Sequence, residues 1–275
     1  METKSVWGNQ VVIILSAELE LTKTLKWRAW KGTFSGKVIY DSISQENPVA
    51  SLRTVPPEKM KPELRAGDVV KVRAVFWGPY AESTASEVSI GLLNLDYAVP
   101  INVKMRELSV DKPPEVVKSE DPKAIYFTAF HFPTFYKFHG SWVSLPSVFR
   151  MLNSLFKRLG EELGRDMDQE ALKELALKIE AIGGNLRITR ERVKGNLEVP
   201  TFNGKIKYYG VLNEGEIQLL LWALKYLPLF GAGASPGMGF GHVQWVEVRE
   251  PPFETPVGKF KENIRYDFDD YLMEK

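Results

Sequence analysis

The 275-residue chain contains no cysteine. That excludes disulfides, thiolate metal sites and a cysteine nucleophile, and it suits a reducing cytosol. Histidine is nearly as scarce: His131, His139 and His242 are the only three, and they do not stand at metal-ligand spacing. Neither a metal nor another cofactor is expected. Charge of one sign is lacking too, since 36 Lys and Arg face 35 Asp and Glu for a net charge of +1. Affinity for a polyanion must therefore come from local clustering. No apolar run is long enough to span a bilayer. The opening METKSVWGNQVVIILSAELEL is interrupted by Ser16 and Glu18 and lacks a signal-peptide shape. The expectation is a soluble, cytoplasmic protein without membrane contact. What remains is globular composition, 44% hydrophobic and 12% aromatic, enough for one large domain or two of ordinary size.

Two halves repeat a similar order. From Val12 to Leu21 apolar residues alternate with Ser16, Glu18 and Glu20, the pattern of a half-buried strand. A short helix is expected around Gly36–Ser44, then strands at Asp68–Phe76 and Pro100–Leu108, with a weaker one near Ser86–Leu92. The stretch DKPPEVVKSEDPK, Asp111–Lys123, carries three prolines and many charges and marks a domain boundary.

The second half restarts with a strand at Ala124–Phe130. A helix follows, opened by Ser144 and Pro146 and ended by Gly160, then a second from about Asp168 to Ile182. Strands at Asn185–Glu191 and Glu198–Val211 lead to a helix at Glu214–Tyr226, with Asn213 and Glu216 forming a capping box. A last strand covers Gly239–Val248. Strand, helices, two strands, helix, strand is the βαββαβ order of a ferredoxin-like (RRM-like) domain. The first half is compatible with the same plan, although its second helix is hard to find. The predicted fold class is α+β, two tandem ferredoxin-like domains with a C-terminal glycine-rich loop. The domains are residues 1–112 and 124–250, joined by a linker at 113–123 and followed by a tail at 251–275.

Three features bear on function. LFGAGASPGMGFGHVQW holds Gly231, Gly233, Gly237, Gly239 and Gly241 within eleven residues. Such a loop either brings bare amides against phosphates, in a cleft between the two domains, or lets backbone pack closely, with Gly239 and Gly241 serving packing under Phe240. The segment Leu21–Tyr40 contains Lys23, Lys26, Arg28, Lys31 and Lys37, no acid, and interleaved Trp27, Trp30 and Phe34. Cations between aromatics suit RNA phosphates and unpaired bases; the alternative is a solvated basic face with tryptophans packed inward. Arg187, Arg190, Arg192 and Lys194 form a second basic run, of which Arg190, Arg192 and Lys194 either line one stripe of a strand or protect a sheet edge. His131 reads as a packed or surface residue, His139 beside Lys137 and Gly140 as the open one, and His242 as near the glycine loop or in the core.

Several stretches carry a resemblance in chain order. FHFPTFYKFHGSWVSLPSVFRMLNSLFKRL places Pro133, Thr134, Gly140, Arg150, Lys157 and Arg158 where one known family has a Pro-Thr pair, a glycine and a proline-led basic helix. ITRERVKGNLEVPTFNGKIKYYGVL resembles its basic strand pair, and GAGASPGMGFGHV its terminal Gly-x-Gly signature around Phe240. The chain resembles the CRISPR repeat-processing endoribonucleases, the Cas6 family of the RAMP superfamily. The first half matches only through Tyr40 and Asn47-Pro48, and Arg53 stands where many family members carry a histidine. The resemblance implies metal-independent cleavage of CRISPR repeat RNA (pre-crRNA processing) by attack of its own 2′-hydroxyl, giving a cyclic phosphate. The catalytic candidates are Tyr40, Lys26, Arg28, Lys31 and Arg53. Tyr40 would orient or activate the hydroxyl, Arg28, Lys31 or Arg53 stabilise phosphate charge, and Lys26 donate a proton. RNA-binding candidates are Lys23, Trp27, Lys37, His139, Arg150, Lys157, Arg190, Arg192, Lys194, Gly231, Gly233, Gly237, Gly239, Gly241 and His242. Repeat RNA or crRNA is the implied partner, together with CRISPR interference-complex subunits, and monomer or homodimer stays open. The alternative is a non-cleaving crRNA-binding RAMP subunit of an interference complex. A ferredoxin-like protein with no nucleic-acid role is the third reading.

Overall fold

A computed structural model describes residues 11–44, 47–58, 60–115 and 121–273. The first ten residues and positions 116–120 of the expected linker lie outside the described residues. The chain divides into two compact units. Unit 1 takes in Met1–Asp111, Arg158–Asp166 and Gly237–Gly239; unit 2 takes in Lys112–Lys157, Met167–Pro236 and Phe240–Lys275.

Unit 1 starts with β1 (Val12–Leu21), as the alternating pattern predicts, and β2 (Leu25–Lys26). Then come α1 (Lys31–Asp41), β3 (Ser51–Val55), β4 (Glu63–Leu64), β5 (Val69–Trp77), α2 (Ala81–Gly91) and β6 (Ala98–Leu108). The main sheet runs β3-β5-β1-β6 with every neighbour antiparallel, and β2 pairs β4 separately. Ile13, Leu15, Ala17, Leu19 and Leu21 enter one cluster with Phe34 and Val38 of α1 and Ala85 and Val88 of α2. Two expectations are corrected. The segment near Ser86–Leu92, read as a weak strand, belongs to α2, the missing second helix. Ala81, Ala85, Val88 and Leu92 are buried and recur at helical spacing beneath a Ser- and Glu-rich surface. The first helix begins at Lys31 rather than near Gly36, and β3 had no sequence counterpart because Arg53 breaks its apolar run.

Unit 2 opens with β7 (Lys123–Thr134) and the hairpin β8 (Tyr136–Phe138) and β9 (Ser141–Val143). α3 (Val148–Leu163) follows, residues 148–157 of which belong to unit 2. Next are α4 (Gln169–Leu177), β10 (Ile179–Lys194), β11 (Leu197–Leu212), α5 (Glu214–Phe230), β12 (Val243–Arg249), β13 (Gly258–Lys259) and β14 (Ile264–Asp267). The sheet runs β10-β11-β7-β12-β14, with β13 parallel to β7. Both units therefore follow the ferredoxin-like βαββαβ plan, and the tail extends the second sheet through β14.

Helix signals held at one end and misled at another. Asn213 caps α5 in the expected capping box, its side chain accepting from the Glu216 amide at 2.9 Å. Gly160 does not end α3. The helix runs on to Gly164, whose φ of +62° and the 3.1 Å bond from the Arg165 amide to the Gly160 carbonyl form a Schellman turn. α4 stops at Leu177, so β10 begins at Ile179 rather than Asn185, and β12 begins at Val243 rather than Gly239. α5 is apolar almost all round and correspondingly buried on nearly every side.

Candidate nucleic-acid interface

The segment Gly237–Gly239 belongs to unit 1, where it lies along α1. Gly32, Gly36 and Tyr40 are four residues apart and share one helix face. A Cβ on Gly36 would stand 2.6 Å from the Gly237 carbonyl oxygen, and one on Gly239 would stand 2.7 Å from the Gly32 Cα. A Cβ on Gly237 would overlap the Tyr40 hydroxyl. Thr54 Oγ1 donates to the Gly237 carbonyl at 3.1 Å. Glycine is needed here so that backbone can meet backbone.

The other glycines have similar inward roles. The Gly231 amide donates to the Leu227 carbonyl at 2.8 Å, Gly233 to Ser154 Oγ at 3.0 Å and Gly241 to the Pro133 carbonyl at 3.0 Å. All five loop glycines are buried. This corrects the expectation that Gly231, Gly233 and Gly241 hold phosphate through their amides, because those amides already have internal acceptors. Gly32, Gly36 and Thr54 escaped the sequence reading. The Gly-x₃-Gly-x₃-Tyr spacing was the signal available.

The basic segment separates into exposed cations and packed rings. Trp30 and Phe34 are buried. Trp27 is half-buried and meets Phe34 edge-on, with ring centroids 5.4 Å apart, while its Nε1 donates to the Trp30 carbonyl at 3.3 Å. The tryptophans thus pack inward rather than standing out for bases. Lys23 pairs with Asp96 at 3.0 Å, and Lys37 pairs with Asp41 and lies 5.3 Å from the Tyr97 ring centroid. Lys26 and Arg28 are exposed.

Lys31 is half-buried at the first position of α1 and donates to the Glu58 carbonyl at 2.8 Å. Burial lowers its pKa from the ordinary lysine value, and the Glu58 carboxylate opposes that shift. Tyr40 is 52% exposed, and partial burial raises its pKa, so at neutral pH its hydroxyl is a donor and not a base. Nine helical steps, about 13.5 Å of rise and two and a half turns, put Lys31 and Tyr40 on opposite faces of α1. The two cannot serve one phosphate together.

Arg53 is 0% exposed in β3. Burial, reinforced by the Arg158 guanidinium, pulls its pKa well below the usual arginine range. The expectation that Arg53 grips a phosphate is corrected: its guanidinium does not reach solvent. Near it in the chain fold, Glu161 accepts from Trp77 Nε1 at 3.0 Å, and buried Glu162 accepts from the Gly78 amide at 2.9 Å. Burial pushes the Glu162 carboxyl up to about 7.

In unit 2, His139 is exposed at the β8–β9 turn with φ +45°, beside Gly140 at φ +81°. Arg150 lies over the Phe138 ring at 5.1 Å, Lys157 is exposed, and Arg158 is buried. Arg190, Arg192 and Lys194 are exposed on the edge strand β10, with a register shift between Arg192 and Lys194 and a 3.8 Å ion pair from Arg192 to Glu198. His242 is 0% exposed, meets Phe268 edge-on with centroids 5.3 Å apart, and bonds Gln244 at 3.0 Å. It is a core residue, which corrects its placement at RNA. His131 is buried as well, 3.2 Å from the Tyr208 hydroxyl. Among the described residues, no helix is long and apolar enough to cross a membrane, and no group of three His, Cys, Asp or Glu could hold a metal.

Residues 129–243, which include the glycine-rich loop, match the sequence model of the family described as CRISPR-associated endoribonuclease Cas6. The chain is similar to Cas6. A CRISPR-associated endoribonuclease Cas6 of Streptococcus thermophilus is 26% identical over 153 residues, 54% of this chain. That match spans 61% of the curated relative. A solved Thermus thermophilus Cas6 has the same fold at a TM-score of 0.60 and 17% identity, covering 86% of this chain and 99% of that one. A Cas6 substrate mimic complex follows at 0.56 and 18% identity, covering 85% and 98%. A partial Cas6-RT-Cas1–Cas2 complex has a TM-score of 0.57 and 14% identity, covering 91% of this chain and 48% of that one. The family-model match begins at residue 129 and so does not include the basic segment 21–40.

Proposed function

We propose that this chain is a metal-independent endoribonuclease that processes CRISPR repeat RNA. The observation carrying the reading is the Cas6 family match across residues 129–243. In the proposed reaction the ribose 2′-hydroxyl gives up its proton to water as its oxygen attacks the adjacent phosphorus, the P–O5′ bond breaks, and the leaving 5′-oxygen takes up a proton. The products are a 2′,3′-cyclic phosphate and a 5′-hydroxyl. Positioning the 2′-hydroxyl in line with the leaving oxygen supplies much of the rate, and cations that meet the growing phosphoryl charge supply more.

Within unit 1, Tyr40 donates its hydroxyl to the reacting phosphate or ribose, its raised pKa keeping the proton in place. Lys26, Arg28 and Lys31 lie within six residues and neutralise a neighbouring phosphate. Lys26, exposed beside the other two, donates the proton that the leaving oxygen takes up.

A second reading is favoured by one fact: all three histidines lie outside residues 1–128. A chain with no imidazole in that half suits a non-cleaving crRNA-binding subunit of an interference complex. Incubation with repeat transcripts in EDTA separates the two. Cleavage that persists in EDTA and vanishes when the cleaved nucleotide lacks its 2′-hydroxyl supports the enzyme. Tight, salt-sensitive binding with intact RNA supports the carrier. Absence of any RNA binding overturns both.

A further inference from the structure

A hollow of about 170 Å³ lies within unit 2 where three elements meet. Lys137 contributes from β8, Arg150, Asn153 and Ser154 from α3, and Gly233 and Ala234 from the glycine-rich loop. Pockets for drug-sized ligands run to roughly 300–1,000 Å³, so this one admits a single ring system or phosphate. Its floor is fixed, because the Gly233 amide donates to Ser154 Oγ at 3.0 Å and the Ala234 amide to the Phe135 carbonyl at 2.9 Å. Arg150, Asn153 and Lys157 follow one another at helical spacing and form a polar stripe along α3.

An exposed ring stands beside the hollow: Phe138, in the eight-residue hairpin 136–143, is 53% exposed. The Arg150 guanidinium sits 5.1 Å from the Phe138 ring centroid. Lys137 and Trp142 are direct partners in the β8–β9 ladder, so Trp142 lies on the face opposite Phe138. Cation, amide and exposed ring converge on one small opening.

We propose that this hollow receives one unpaired ribonucleotide of the bound RNA. Its base stacks on Phe138, Asn153 presents a donor and an acceptor to the base edge, and Arg150 and Lys157 hold consecutive phosphates. A base held in a duplex cannot enter, since it is stacked on both faces. The inference rests on the RNA-binding reading above and names the part of the RNA that this surface takes.

The test is fluorescence anisotropy with labelled single-stranded decamers of A, C and U and a ten-base-pair RNA duplex, all at one salt concentration. Phe138→Ala, Asn153→Ala and Arg150→Gln are compared with the full chain and with Lys173→Gln, which removes an exposed charge on α4. Phe138→Ala is expected to weaken the decamers about tenfold and the duplex less than about twofold. Asn153→Ala, an exposed change that leaves the fold intact, narrows the spread of affinities among the three homopolymers. Lys173→Gln leaves every affinity unchanged. If the wild type binds the decamers and the three variants bind them equally well, the nucleotide site is overturned and the RNA reading stands. If the wild type binds no RNA, both fall.

Discussion

Gly36 of α1 faces the carbonyl oxygen of Gly237 so closely that a Cβ at position 36 would stand 2.6 Å from it. In an exposed helix, Gly→Ala stabilises by about 0.5–1 kcal/mol. Here the obstacle is backbone, held by the Thr54 hydroxyl at 3.1 Å, and it cannot swing aside like a side chain. Gly36→Ala should therefore destabilise, by about 1–3 kcal/mol as in other overpacked sites. Urea unfolding of the variant against wild type reads the sign directly. A stabilised variant would mean that residues 237–239 do not lie on α1.

Tyr40 borders the same carbonyl segment yet keeps half its surface in solvent. Tyr40→Phe should leave the unfolding midpoint almost unchanged while lowering the single-turnover cleavage rate by about 10²-fold, the usual loss for one aligned donor. Affinity for a repeat RNA with a deoxy substitution at the cleaved nucleotide should move less than about threefold. Equal cleavage rates for the two proteins would remove Tyr40 from the reaction centre.

The sequence carried most of the fold because its strongest signals were local. β1 follows from alternation alone, and α5 from Asn213 and Glu216. α2 was hidden because Ser83, Ser86 and Glu87 obscure an otherwise regular apolar stripe. β3 was hidden because its central residue is an arginine whose burial depends on residues far along the chain, Arg158 among them. The site was less legible for the same reason. Whether a lysine, tryptophan or glycine faces water is decided by tertiary neighbours, and Trp27, Arg53, His242 and the loop glycines all turn inward. Lys26, Arg28 and His139, in short or irregular segments, stay exposed as expected.

His131 gives a stability prediction with a definite sign. Burial holds its pKa down to about 3 from 6.5, so the folded protein keeps it neutral while the unfolded chain takes up a proton below pH 6.5. Stability from this residue is complete above 6.5 and is lost as pH falls toward 3, by up to about 1.4 kcal/mol per pH unit. Glu162 works in the opposite direction, its raised pKa costing stability as pH rises from 4.5 to about 7. The difference between wild type and His131→Phe isolates the histidine, because Glu162 is common to both. Between pH 6.5 and 5 the wild type should lose stability relative to the variant. Parallel curves would show that His131 is not buried as a neutral ring.

Arg190, Arg192 and Lys194 stand exposed on the outermost strand of the second sheet, so two roles compete for them. As RNA contacts, each neutralises a phosphate and releases counterions. As edge protection, they only discourage another strand from pairing with β10. Replacing all three with Gln should leave stability within about 0.5 kcal/mol, since none is buried. The slope of log affinity against log salt should then become shallower by about 2 for single-stranded RNA, at about 0.7 per lost contact. Affinity measured from 50 to 300 mM salt supplies that slope. An unchanged slope together with concentration-dependent self-association would assign the three cations to guarding the edge, and RNA binding would then have to rest on the α3 stripe and the segment 21–40.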